Sequence, residues 1–126
     1  MASIAHLPLG THLLADLSGI RAERLRDCDA LERLLREAAV AAGAQVLHGH
    51  FHSFGTGQGI TGVLLLAESH ISIHTWPECS FAAVDIFMCG AAQPQRALDI
   101  VKDALQATQC QLQSVRRAPP SSPSPN

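Results

Sequence analysis

The sequence predicts an α+β fold, a two-layer sandwich in which two helices cover one face of a largely antiparallel sheet. Six segments are short and apolar enough to be strands, whereas only two repeat apolar residues at helical spacing. Four of the predicted strands follow one another without a helix between them, so these neighbours run antiparallel. The other face of such a sheet needs a partner, which favours a dimer packed sheet to sheet.

The first half of the predicted fold consists of a strand, a helix and a second strand. Leu7, Leu9, Leu13 and Leu17 predict a first strand over residues 6–17. Asp27 or Asp29 is placed to cap the helix, and Gly43 is placed to end it in a left-handed turn. The apolar face of this helix is formed by Leu31, Leu34, Leu35, Ala38 and Ala42. Residues 44–54 then form the second predicted strand.

A glycine-rich segment, residues 55–59, is predicted to be a flexible loop before the second half of the fold. Pro94 suits the first turn of the second helix because proline fixes φ and lacks an N–H group. The apolar face of that helix is formed by Ala97, Leu98, Val101, Ala104 and Leu105. The remaining predicted strands are 60–67, 69–75, 81–88 and 109–115, so the element order is β-α-β-β-β-β-α-β.

Length and composition limit the classes of function. The chain of 126 residues fits a single domain over residues 1–115, and the Pro- and Ser-rich residues 116–126 predict a disordered tail. A formal net charge of −2 without a basic stripe argues against nucleic-acid binding. No apolar run reaches the length of a membrane span, and the start of the chain lacks the features of a secretion signal. The expected compartment is therefore the cytoplasm.

The cysteines and histidines of the chain are spaced in ways that argue against a metal site. The four cysteines form no CxxC pair, which argues against structural zinc, and in the cytoplasm they are expected to be reduced. His48, His50 and His52 alternate, so a strand would carry them on one face. No carboxylate or cysteine joins them at ligand spacing, and a solvated or site-lining strand face is therefore preferred to a metal site.

The segment 68–78, Glu-Ser-His-Ile-Ser-Ile-His-Thr-Trp-Pro-Glu, is the most informative part of the chain. It combines a hydroxyl nucleophile, two imidazoles, two carboxylates and the only Trp, and it follows the apolar run 63–67. Polar groups are costly to bury without partners, so their concentration at the end of a buried strand predicts a functional site.

This segment closely resembles the self-cleavage region of the prokaryotic S-adenosylmethionine decarboxylase proenzymes. Two weaker blocks, residues 9–16 and residues 82–90, also resemble the family, and the similarity extends over about residues 7–115. The resemblance implies a homodimer with αββα layers and a covalent pyruvoyl cofactor derived from Ser69. It also implies a small-molecule substrate whose decarboxylation supplies the aminopropyl donor for spermidine synthesis.

The family chemistry gives roles to three residues of this chain. The resemblance implies self-cleavage between Glu68 and Ser69: the Ser69 hydroxyl attacks the Glu68 carbonyl to form an ester, and β-elimination then releases the Glu68 carboxylate and leaves dehydroalanine at residue 69. The resemblance assigns removal of the Ser69 α-proton to His74, and a neutral imidazole is the natural base near pH 7. On an unbroken strand, however, Ser69 and His74 face opposite sides. Cleavage creates a new terminus at residue 69, which a turn or bulge could reorient.

Four further residues receive roles in processing or turnover. The pyruvoyl ketone forms a Schiff base with the substrate amine and accepts electrons when CO2 leaves, and Cys89 matches the proton donor to the resulting carbanion. Glu78 matches a residue that hydrogen-bonds the substrate ribose, and Phe54 one that stacks on adenine, although spacing alone equally allows a core Phe54. Thr61 occupies the position of a serine that assists processing in the family.

Two departures from the family pattern leave alternative functions open. Thr61 keeps the hydroxyl of the usual serine but adds a methyl group, and the loop 55–59 is one residue longer than usual. Because this loop borders the substrate pocket, the alternative is a pyruvoyl-dependent decarboxylase of L-ornithine or L-arginine. An uncleaved relative acting as a binding or regulatory subunit, and a metal hydrolase that uses the histidines, are more distant alternatives.

Overall fold

A computed structural model describes residues 8–120 as a six-stranded sheet with two helices. The sheet order is β2-β3-β4-β5-β1-β6, and every neighbouring pair is antiparallel. The predicted α+β class and the predicted element order are both confirmed. The strands are β1 (Gly10–Ser18), β2 (Val46–Ser53), β3 (Ile60–Leu66), β4 (Ser69–Trp76), β5 (Phe81–Cys89) and β6 (Gln109–Arg117).

The two helices are α1 (Cys28–Ala41), whose start and end the sequence indicated, and α2 (Pro94–Leu105), whose start it indicated. Asp27 is the cap of α1, because its side chain accepts a hydrogen bond of 3.0 Å from the Ala30 N–H group. Gly43 follows the helix with φ of 89°, a conformation that glycine adopts without steric cost. The expected cap and the expected left-handed turn are therefore both present.

The hydrophobic core lies between the helices and one face of the sheet. The two faces of the sheet differ in burial along β4. Ile71, Ile73 and Thr75 face the helices and are buried, while the residues between them are only partly buried. The opposite face, which we call the open face, has no helix over it among residues 8–120 and exposes Leu65, Trp76 and Val115 by 40–48%. The open face carries most of the candidate site residues.

Some element boundaries differ from the sequence-based prediction. β1 begins at Gly10, because Pro8 has no N–H group for a strand ladder; the predicted start at His6 lies outside the described residues. β6 continues through Arg117, two residues into the predicted tail, because β1 offers pairing partners as far as Gly10. Residues 121–126 of that predicted tail also lie outside the described part. None of the helices within residues 8–120 has the length and apolar character needed to cross a membrane.

Candidate active site

The predicted cleavage point lies in a tight hairpin turn between β3 and β4. Leu66 and Ser69 pair across this turn, so Ala67 and Glu68 are its only two residues. Glu68 has φ of 69°, in the left-handed region that an L-residue with a side chain rarely adopts. A residue held in this region costs about 1–3 kcal/mol, and such strain is concentrated at functional sites. The peptide bond that follows Glu68 is therefore in a strained turn at the start of β4.

The candidate residues fall into two groups at opposite ends of the sheet. β4 runs without a bulge from Ser69 to Trp76, so Ser69 and His74 are about 17 Å apart at roughly 3.4 Å per residue. They also alternate onto different faces: Ser69 shares the side of Ile71, which is buried under the helices, and His74 lies on the open face. No turn or bulge within β4 brings the two side chains together in the intact chain.

The first group, which we call the proximal group, consists of Ser69 and Cys89. His70 pairs with Phe87, and Cys89 pairs with Gly10, so Ser69 and Cys89 lie at the same end of the sheet. A Cβ atom on Gly10 would lie 2.9 Å from the Cys89 sulfur and 2.7 Å from a backbone oxygen. The absence of a side chain at Gly10 therefore leaves the room that the Cys89 thiol occupies on the open face.

A chain of polar side chains runs across the open face beside the proximal group. Arg117 donates from Nη1 to Nδ1 of His12 over 3.2 Å, which leaves Nε2 of His12 as the protonated nitrogen because a guanidinium cannot accept. This Nε2 is buried and has no hydrogen-bond partner within the described part of the chain, and Asp85 Oδ1 lies 3.9 Å away. The Ser72 hydroxyl donates to the other oxygen of Asp85 over 3.2 Å.

His70 belongs to the same polar surface. Its ring lies 5.9 Å, centre to centre, from the rings of both His12 and Phe87. Burial lowers the pKa of His70 below its usual 6.5, and the neighbouring His12 lowers it further, whereas Asp85 opposes the shift. His70, the second residue after the predicted cleavage point, therefore has an imidazole whose neutral form is favoured.

The second group, which we call the distal group, lines a cavity of about 350 Å³ at the other end of the open face. The volume falls in the range of small-molecule sites. The lining includes all four candidate residues assigned to this end of the sheet, together with an aromatic ring that was not assigned to the site. The lining residues are Phe54, Gln58, Gly59, Thr61, His74, Thr75, Trp76 and Glu78.

Within the distal group, Thr61 and His74 are directly bonded. Thr61 Oγ1 and His74 Nδ1 lie 3.1 Å apart in a hydrogen bond whose direction depends on the imidazole tautomer. The two residues occupy paired positions on β3 and β4, so the contact follows from the strand register. The added methyl group of Thr61 does not prevent the contact that a serine hydroxyl would make here.

The walls of the cavity are fixed by a buried threonine that sequence analysis did not select. The Thr75 hydroxyl donates to the Leu25 carbonyl over 2.6 Å and accepts from the Ile60 N–H group over 2.9 Å. Gly59 lies so close to β4 that a Cβ atom there would be 2.1 Å from the Thr75 carbonyl oxygen. Thr75 therefore holds the end of the 55–59 loop against the strand that carries His74.

The predicted loop, residues 55–59, is closed by two backbone hydrogen bonds. Gln58 donates its backbone N–H group to the Gly55 carbonyl over 2.9 Å, and Phe54 donates to Gly59 over 3.1 Å. Gly55 and Gly57 have φ of 130° and 76°, which glycine permits. These bonds close a compact turn, and the turn brings Phe54 to the rim of the cavity.

Sequence reasoning also missed Trp76 and Gln58 as site residues. Trp76 has a detectable signal, since strand alternation from His74 puts it on the same face. Its ring lies 6.2 Å from His74 and 5.5 Å from Phe81, centre to centre. The position of Gln58 depends on the loop conformation, for which the sequence offered no signal.

The alternating histidines do not form a metal centre with other ligands in the structure. His48, His50 and His52 are exposed on β2, whose register with β3 puts them on the open face. Within residues 8–120 there is no group of three or more His, Cys, Asp or Glu side chains arranged to hold a metal ion.

Comparison with known proteins gives consistent results. The family model for S-adenosylmethionine decarboxylase matches residues 11–118. An S-adenosylmethionine decarboxylase proenzyme of Caldicellulosiruptor saccharolyticus is 40% identical over 110 residues, which is 86% of this chain and 88% of that relative. The proenzyme of Parasynechococcus marenigrum is 45% identical over 113 residues, covering 89% and 88%. The crystal structure of the Aquifex aeolicus adenosylmethionine decarboxylase superimposes with a TM-score of 0.84 at 35% identity, covering 95% of this chain and 99% of that one.

Proposed function

The chain belongs to the S-adenosylmethionine decarboxylase family, and we propose that it is a proenzyme whose processed form decarboxylates S-adenosylmethionine. The product would be the aminopropyl donor for spermidine synthesis. The observation that carries the choice of substrate is the distal cavity, where Phe54 and Trp76 offer aromatic surface and Glu78 offers a carboxylate. An adenine ring can stack on aromatic surface, and vicinal ribose hydroxyls can donate two hydrogen bonds to a carboxylate.

The alternative substrates fit this cavity less well. L-ornithine and L-arginine contain neither an aromatic ring nor a sugar, so they leave the aromatic side chains without a stacking partner. The distal cavity is lined by both Phe54 and Trp76, next to the 55–59 loop. The family match therefore agrees with the nucleoside substrate, and the loop gives no support to a basic amino acid.

Self-cleavage between Glu68 and Ser69 is supported by the geometry of the hairpin turn. The positive φ of Glu68 strains the segment whose carbonyl the Ser69 hydroxyl would attack, and cleavage releases that strain. The cut would yield chains of residues 1–68 and 69–126. Residue 69 would then be a free strand end, able to turn toward the open face where Cys89 lies.

The separation of the two groups supports a composite site between two copies of the chain. Within one chain, the base His74 lies about 17 Å along β4 from Ser69, beyond the reach of a proton transfer. A two-fold axis between two facing sheets, running across the strands, reverses the strand direction of the second copy. The distal group of one protomer would then face the proximal group of its partner.

The same arrangement covers the apolar surface that the fold leaves exposed. Leu65, Trp76 and Val115 all lie on the open face and are 40–48% exposed in the single chain. Packing two open faces together would bury them and produce the αββα order of layers. We therefore infer a homodimer in which each site takes Ser69 and Cys89 from one protomer and the distal group from the other.

The roles of the residues follow from this arrangement. His74, oriented by Thr61, would remove the Ser69 α-proton during processing. The covalent pyruvoyl group derived from Ser69 would supply the electron sink for the loss of CO2. Glu78 and Phe54 would hold the nucleoside, and the Cys89 thiol would return a proton to the substrate α-carbon.

The expected setting is a single processed domain in the cytoplasm. All four cysteines, Cys28, Cys79, Cys89 and Cys110, are free thiols in the structure, as a reducing compartment requires. The domain would extend through Arg117, the end of β6, and the tail would begin after it.

A single set of measurements tests the proposal. The purified protein is analysed on a denaturing gel and then incubated separately with S-adenosylmethionine, L-ornithine and L-arginine while CO2 release is measured. We expect two fragments and a clear preference in kcat/KM for S-adenosylmethionine; Ser69→Ala should remain intact and inactive. Preference for a basic amino acid would overturn the substrate assignment, and full activity without cleavage would overturn the pyruvoyl cofactor. An intact, inactive wild-type chain would support the binding-subunit alternative.

A further inference from the structure

We propose that His52 is a positioning residue that holds the Phe54 ring in the orientation needed to stack on an adenine base. The inference rests on the proposed function, in which Phe54 contacts the nucleoside part of the substrate. His52 itself is absent from the lining of the distal cavity, so it would act through Phe54. The role concerns substrate binding, and neither chain cleavage nor the decarboxylation step depends on it.

The contact that carries this inference is a perpendicular pair of rings. The His52 and Phe54 rings are 4.7 Å apart, centre to centre, with an interplanar angle of 76°. This edge-to-face geometry lies in the favourable range for aromatic pairs, because the positive edge of one ring meets the negative face of the other. It leaves the Phe54 side chain in contact with the protein although 62% of that residue is exposed.

The backbone of Phe54 is already fixed, so the side chain is the remaining source of freedom. The Phe54 N–H group donates to the Gly59 carbonyl over 3.1 Å, which closes the turn behind it. An exposed aromatic side chain on a fixed backbone can still change rotamer. Stacking on a base requires one orientation, and a neighbour that favours this orientation lowers the cost of binding. The His52 ring is placed to provide that preference.

The position of His52 in the sheet explains why it can act on the site without entering it. His52 pairs with Thr61 in the register of β2 and β3, and Thr61 pairs with His74 on β4. The three side chains therefore form a row across the open face, with His52 at its outer end. His50 lies two residues earlier on the same face, opposite Val63 rather than opposite a cavity residue.

The experiment compares three variants of the processed enzyme: His52→Ala, His52→Phe and the control His50→Ala. For each, kcat and KM for S-adenosylmethionine are measured, together with the Kd of 5′-deoxy-5′-methylthioadenosine, a nucleoside that lacks the reacting amine. We expect His52→Ala to raise both KM and Kd by about 2- to 10-fold, from the usual strength of an aromatic pair, with kcat unchanged. His52→Phe keeps an aromatic edge and should restore both values, and His50→Ala should leave them unchanged.

The outcomes separate this inference from the proposed function. Equal KM and Kd for His52→Ala and the wild type would overturn the positioning role while decarboxylation by the wild type stands. An equal rise for His52→Phe and His52→Ala would also overturn it, because the ring contact would then be irrelevant. A wild type that binds the nucleoside but does not decarboxylate S-adenosylmethionine would overturn the proposed function, and the Kd series would still test the His52 contact.

Discussion

The separation of Ser69 from His74 makes a sharp prediction about mixtures of two defective chains. Ser69→Ala lacks the nucleophile, and His74→Ala lacks the processing base, so each homodimer should remain uncut. When the two chains are produced together, a mixed dimer has Ser69 from one protomer facing His74 from the other. One complete processing site is thereby restored, although neither chain can cleave itself.

The expected extent of cleavage follows from the symmetry of the dimer. With equal amounts and random pairing, about half of the dimers are mixed, because a two-fold dimer of two chain types assorts roughly 1:2:1. About half of the His74→Ala chains should therefore be cut, and the Ser69→Ala chains should remain intact. Within one chain the distance of about 17 Å along β4 predicts no cleavage at all.

The assay uses a different affinity tag on each chain. Tandem purification isolates the mixed dimers, and a denaturing gel with mass spectrometry then identifies which chain has been cut between residues 68 and 69. In purified mixed dimers essentially every His74→Ala chain should be cut. The matched control pairs His74→Ala with the double variant Ser69→Ala/His74→Ala, which contains no processing base and should remain uncut.

Three results would refute the reasoning. If purified mixed dimers stay intact while mixed dimers of wild type and Ser69→Ala are cut in the wild-type chain, His74 acts within its own chain and the composite site is wrong. If His74→Ala homodimers are cut at the wild-type rate, His74 is not the processing base. Absence of any dimer in solution would also contradict the arrangement.

Three further predictions concern turnover, binding and stability. Cys89→Ala should still permit cleavage on a denaturing gel but lower CO2 release by about 10²- to 10⁴-fold, the usual contribution of a positioned acid, and full turnover would show that another group protonates the carbanion. Glu78→Gln should raise KM for S-adenosylmethionine by about 10- to 100-fold without blocking cleavage, because a hydrogen bond to a charged acceptor is weakened; an unchanged KM would remove Glu78 from ribose binding. Burial lowers the pKa of His70, so below its usual 6.5 the unfolded chain binds a proton that the folded chain resists, and the free energy of unfolding should fall as the pH decreases. Urea titrations from about pH 7.5 to about pH 5.5 should show a smaller fall for His70→Gln, and an equal fall in both proteins would contradict this cause.

Processing, turnover and stability are measured by separate methods, so the effect of each substitution on each property can be distinguished. Processing is read on a gel, turnover by CO2 release and stability by denaturant, so a variant that fails to fold is recognised before its kinetics are interpreted. Ser69→Ala serves as the uncut reference for the stability measurements, because cleavage itself changes the unfolding reaction.

The sequence by itself determined the elements of the fold and the chemistry of the central segment. Apolar spacing in α1 and the alternation in β4 are local periodicities, and local caps such as Asp27 and Gly43 fix where a helix begins and ends. The grouping of Ser69 and His74 within one strand is equally a property of the sequence. These features depend on neighbours along the chain, and for that reason they could be predicted.

The tertiary structure decided which of those residues can meet. Pairing of β3 with β4 brings Thr61 to His74, and pairing of β5 with β1 sets Cys89 opposite Gly10, contacts that join residues far apart in the sequence. The same extended strand that links Ser69 to His74 in sequence keeps them about 17 Å apart, because each residue of a strand adds roughly 3.4 Å. Closeness in the sequence therefore suggested a shared role for Ser69 and His74, whereas the geometry of the sheet placed them at opposite ends, which is why the proposed processing site combines two copies of the chain.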